Sequence, residues 1–145
     1  MARNTNRQGA NFELDVMHYL SGCSCETTYT RPHHVGWTGF GYECLRSSGS
    51  RGAIDIVAVA SATWRPVDED DSSNLLFIQC KISKAVISPA ERQRVQDLAT
   101  RASAVPLVAF RAQDADTGRV RPHFRMLTGP GPKDWSAWEP ERDES

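Results

Sequence analysis

Long apolar runs are missing from this 145-residue chain. None approaches the roughly 20 residues that cross a bilayer as a helix, so no membrane partner is expected. The opening Met1-Ala2-Arg3-Asn4-Thr5-Asn6-Arg7 lacks the apolar core of a secretory leader, which points to a cytoplasmic protein. Cysteine is scarce. Cys23, Cys25, Cys44 and Cys80 make no disulfide framework in a chain of this size without a leader, so free thiols are expected. What is present is ordinary for a folded domain: 39% hydrophobic and 24% charged residues, enough for one core and one domain.

Net charge is also nearly absent, at -1. Its distribution is uneven. Asp68-Glu69-Asp70-Asp71 lie in one loop, and Glu139, Glu141, Asp143 and Glu144 close the chain. Setting aside those eight acids and Arg142 takes the balance from -1 to +6, so the body of the domain is basic and suited to phosphates.

Residues 4 to 20 read as a helix capped by Asn4 or Thr5, with Phe12, Val16, Met17 and Leu20 on one side. Glu13 falls on or beside that apolar side. It either reaches solvent or an arginine as a structural residue, or serves a site. Residues 21 to 41 carry Cys23, Cys25, His33, His34 and three aromatics among glycines and a proline. The single residue between the paired cysteines fits no standard zinc pattern, so an irregular insertion stands beside a zinc reading. A short strand over 42 to 46 leads through the polar turn 47 to 52 into a β-branched strand over 54 to 60. A polar loop then reaches Leu75 to Lys81, apolar at its first four positions and therefore a central strand covered on both faces. Ser88-Pro89-Ala90-Glu91 has the form of a capping box, and Val95, Leu98, Ala99 and Ala102 repeat at helical spacing behind it, leaving Arg92, Arg94 and Arg101 to other faces. Strands follow at 105 to 111 and at 119 to 127, the latter an edge because of Pro122. The order is helix, three strands, helix, two strands, an α/β or α+β sheet domain over 1 to 127 with the insertion 21 to 41. Residues 128 to 145 read as a tail, with Trp135 and Trp138 docking part of it.

The chemistry gathers around Asp55, which opens one strand, and Gln79-Cys80-Lys81, which closes its partner. In a hairpin these meet at one end of a sheet. Gln79 and Lys81, two apart, point to one side. Cleaving a phosphodiester needs an activated water and neutralisation of charge growing on the phosphoryl oxygens. Mg2+ needs one or two carboxylates with carbonyl oxygens, so Asp55, the Gln79 amide oxygen, the Cys80 carbonyl and Glu13 are the candidate metal-side groups. Lys81 would orient the water or stabilise the developing charge. Taken singly, an Asp opening a strand or a Lys closing one is commonplace.

Together the segments resemble the PD-(D/E)XK nuclease superfamily, and in particular the archaeal Hjc-type Holliday junction resolvases and their phage and bacterial relatives. The resemblance runs through Arg7-Gln8-Gly9-Ala10-Asn11-Phe12-Glu13, Arg46-Ser47-Ser48-Gly49-Ser50, Asp55, Gln79-Cys80-Lys81, the helix over 88 to 104 and the strand over 105 to 111. It implies a restriction-endonuclease-like α/β core with a central mixed five-stranded sheet flanked by helices. It further implies a homodimer that binds branched DNA and nicks two opposing strands of a four-way junction with Mg2+, for which Mn2+ can substitute. On this resemblance Glu13, Asp55, Gln79, Lys81 and Ser50 are catalytic, Asp55, Gln79, Cys80 and Glu13 hold the metal, and Arg7, Arg46, Arg51 and Lys84 contact DNA. Gln79 departs from the resolvases, which typically carry Glu there, and Gln-x-Lys is similar to the Mrr-type restriction nucleases. Two alternatives follow: a superfamily nuclease of restriction or repair acting on duplex DNA, and a DNA-binding homologue without catalysis.

Overall fold

A computed structural model describes residues 5–22, 39–46, 54–60, 74–81 and 87–140, with side chains described from Asn11 onward. The first helix, α1, spans Thr5–Ser21. Its apolar repeat acts as expected: Phe12, Val16, Met17 and Leu20 are all buried. Asp15 is buried beside them, within 3.4 Å of the Arg111 guanidinium, an ion pair that offsets the cost of placing a carboxylate there. Leu20 O accepts from Phe40 N at 2.8 Å, tying the helix end to the chain that enters the sheet. Gly39 makes that approach feasible. It has φ +81, and a Cβ there would stand 2.5 Å from Gly22 N.

The sheet contains β1 (Tyr42–Arg46), β2 (Ile56–Ala60), β3 (Leu75–Lys81), β4 (Val105–Gln113), β5 (Val120–Leu127) and β6 (Trp135–Trp138), in that spatial order. All neighbours pair antiparallel except β3 and β4, which are parallel and joined through α2 (Pro89–Ala102). A parallel pair requires such a crossover, and it places β3 in the interior as its apolar composition predicts. Alternation divides the layers. Ile56, Ala58, Leu76, Ile78, Leu107, Ala109 and Phe124 pack against α1, while Val108 and Leu127 pack with Val95 of α2 on the other face.

Three expectations are corrected. The sheet has six strands among the described residues, where five were expected, because Trp135–Trp138 pairs with β5 instead of merely docking. The Arg125 guanidinium clamps this strand, lying 3.8 Å from the Trp135 ring centroid and 4.7 Å from that of Phe110. The Trp138 ring meets Phe124 edge-on at 5.6 Å.

Consequently β5 is internal, and Pro122 does not mark an edge strand. β6 pairs only Phe124 to Leu127, so it stops short of Pro122. The Pro122 carbonyl accepts from Arg121 Nη1 at 3.0 Å. Backbone N and O of a strand residue point to the same side, so the proline ring nitrogen faces the margin beyond β6, where no ladder bond is lost.

The third correction concerns α2. Its buried stripe is Arg92, Val95 and Ala99, with Ala102 exposed. Arg92 turns inward because its Nη1 donates to Gly129 O at 3.2 Å and Asp134 O at 2.8 Å, the carbonyls of the turn between β5 and β6. No helix among the described residues is long and apolar enough to cross a membrane.

Candidate active site

The ladder between β2 and β3 ends at Ile56 opposite Ile78. One residue earlier, Asp55 N donates to Ile78 O at 2.9 Å and Asp55 Oδ2 accepts from Cys80 N at 2.8 Å. The side chain thus takes the place of a backbone acceptor at the end of β3. Only one of its two oxygens is used in this way. Burial pushes the Asp55 carboxyl above the usual carboxylate range and the nearby Glu91 adds to it, while the Cys80 N–H and the Lys81 ammonium pull the other way. A carboxylate kept half-buried at such a cost is a functional candidate.

Gln79 and Lys81 project on the α2 side of β3, as their spacing predicts. There they meet a residue that the sequence had marked only as a cap. Ser88 Oγ accepts from Glu91 N at 3.2 Å, with Pro89 at the first helical position, so one half of the capping box forms. The reciprocal half does not. The Glu91 carboxylate turns to β3, accepting from Lys81 Nζ at 2.8 Å and from Gln79 Nε2 at 3.5 Å. Gln79 is 8% exposed, and its amide oxygen Oε1 has no hydrogen-bond donor. The cluster therefore comprises Asp55, Gln79, Lys81 and Glu91. The signal that points to Glu91 is positional. A helix entered through a short connection begins near the end of the strand it follows, and the third helical residue lies in that first turn.

Glu13 and Arg46 occupy the α1 side of the sheet, 3.6 Å apart as an ion pair. Glu13 is thus joined to an arginine, as its structural reading anticipates, and the pair links one residue expected to serve a metal with one expected to contact phosphate. The Cys80 side chain lies on this side against the core. Its thiol is pushed well above the ordinary thiol range, by burial first and then by the charges of Asp55 and Glu13, with Cys44 adding to them. It is no nucleophile at neutral pH. Asp55 and Glu13 therefore flank the same strand end from different layers. Ser50, Arg51 and Lys84 lie outside the described residues, as do Cys23, Cys25, His33 and His34 of the proposed insertion; Arg7 lies within α1 but its side chain is not described.

Asp55 and Gln79 each offer an oxygen beyond those used in the structure, which is the donor chemistry a hard divalent cation prefers. Among the described residues, no group of three or more His, Cys, Asp or Glu side chains is gathered about one point. No family model matches the chain, and no curated protein matches it in sequence.

Proposed function

We propose that this chain is a Mg2+-dependent endodeoxyribonuclease of the PD-(D/E)XK type, working as a homodimer that nicks opposing strands of a four-way DNA junction. The observation that carries the reading is the convergence of Asp55, Gln79 and Lys81 at one end of adjacent strands, from positions 24 and 26 residues apart in sequence. The order helix, three strands, helix, three strands is compatible with it, as is the parallel β3–α2–β4 crossover at the centre of the sheet.

A divalent cation, when bound, neutralises the phosphoryl oxygens and makes water nucleophilic. Asp55 and Gln79 have the oxygens to hold it. Lys81 brings an ammonium to the same strand end, where it can steady the attacking water or the charge that develops on phosphate. The half-buried setting strengthens each of these interactions relative to open water. The basic body of the chain would draw the phosphate backbone to this end. Gln79, similar to the Mrr-type enzymes, favours a second reading in which linear duplex is the substrate.

The test is cleavage of a four-way junction, a flap and a linear duplex by the purified chain with Mg2+. Paired nicks in the junction are expected, and equal cutting of linear duplex would sink the junction reading. Asp55→Asn is expected to abolish cleavage while leaving junction binding intact. Cleavage by this variant at the wild-type rate would show that the site is misassigned. Binding without nicking by the wild-type chain would favour the inactive homologue.

A further inference from the structure

Position 79 holds an amide, so β3 brings no carboxylate to the site beside Asp55. We infer that Glu91, from the first turn of α2, supplies the missing acidic metal ligand, so that Asp55 and Glu91 form the carboxylate pair of the cation site. The inference rests on the nuclease reading and specifies the ligand set of that same site.

Two independent observations lead to it. The first is the diversion of Glu91 from its helix cap. Its backbone N–H engages Ser88, yet its carboxylate forgoes the reciprocal bond and lies 2.8 Å from Lys81 Nζ and 3.5 Å from Gln79 Nε2. The second is the amide of Gln79, more than nine-tenths buried, which presents its nitrogen to Glu91 and keeps an oxygen without a donor. A buried amide oxygen without a donor, on a side chain that meets Glu91 through its nitrogen and adjoins the Cys80 N–H held by Asp55, is donor chemistry suited to a hard cation. Lys81 currently balances Glu91. A bound cation would balance Glu91 in its place, which would leave the Lys81 ammonium available to phosphate.

The experiment measures Mn2+ binding by the full chain without DNA, from the loss of the free-ion paramagnetic resonance signal, together with junction cleavage in Mg2+. Glu91→Gln is expected to weaken Mn2+ binding by about tenfold or more and to slow cleavage by about a hundredfold. The double swap Gln79→Glu with Glu91→Gln moves the charge back to the strand and is expected to recover most of both. Glu91→Asp, which keeps the charge and the cap, provides a second variant and should bind Mn2+ with intermediate affinity. Wild-type Mn2+ affinity in Glu91→Gln overturns the inference, even if cleavage falls, because Glu91 then only anchors Lys81. Failure of the double swap to bind Mn2+ better than Glu91→Gln overturns it as well. A wild-type chain that binds Mn2+ and cuts, alongside an unaffected Glu91→Gln, removes the inference and leaves the nuclease reading standing. A wild-type chain that binds no Mn2+ removes both.

Discussion

Replacing Arg92 by alanine measures how firmly the β6 end of the sheet is held to the helix that carries Glu91. Arg92 is 4% exposed, and its Nη1 donates to Gly129 O and Asp134 O. A hydrogen bond to a charged donor contributes about 1.5–3 kcal/mol, a gross loss of roughly 3–6 kcal/mol for the two. Two effects reduce this. Gly129 O keeps the Gln96 Nε2 donor at 2.9 Å and Asp134 O keeps Thr128 N at 3.0 Å, so neither carbonyl is orphaned. Alanine also removes a guanidinium whose desolvation opposes folding. The expected net loss is about 2–3 kcal/mol. Urea unfolding followed by far-UV circular dichroism gives the total, and tryptophan emission with Trp37 and Trp64 replaced by phenylalanine isolates Trp135 and Trp138 in β6. The companion Gln96→Ala removes one neutral bond to Gly129 O and should cost about 1 kcal/mol. A loss below about 0.5 kcal/mol for Arg92→Ala, within the range of ordinary surface changes, would refute the view that Arg92 clamps the turn.

Other outcomes follow from the same geometry. Because burial raises the Asp55 carboxyl above its unfolded value, the folded state binds its proton more tightly, so stability falls as pH rises through that window and the penalty is in full force at neutral pH. Asp55→Asn should therefore unfold no earlier than wild type at pH 7, with the difference shrinking as pH is lowered toward the ordinary carboxylate range; thermal melts across pH test this, and a destabilised variant at pH 7 would contradict it. Ser103, at the C-terminus of α2, holds φ 54 and ψ 41, a left-handed conformation that costs a residue with a Cβ. Ser103→Gly should raise stability by about 1 kcal/mol in chemical denaturation. Arg125→Ala empties the space between Phe110 and Trp135 and should cost about 1–2 kcal/mol with a red shift of tryptophan emission.

Local patterns carry most of what the sequence by itself determined. The helical repeat of Phe12, Val16, Met17 and Leu20, the unbroken apolar run of β3 and the Ser88-Pro89 cap each depend on residues within one or two turns, so α1, β3 and α2 were legible with their approximate bounds. So was the placing of Asp55 and Gln79-Cys80-Lys81 at one end of adjacent strands, because a hairpin register and a two-residue strand period are short-range rules. Tertiary structure decided the remainder. The settings of Pro122 and Arg92 are fixed by residues distant in the chain: a strand at 135–138 that ends before Pro122, and carbonyls at 129 and 134 that accept the arginine. The role of Trp135–Trp138 depended on an unoccupied edge of β5, which no local pattern announces. Glu91 shows the division most clearly. The capping motif placed it in the first turn of a helix, whereas only the packing of that turn against the end of β3 showed that its carboxylate belongs with Lys81 and Gln79, because a charge goes where a buried partner stabilises it best.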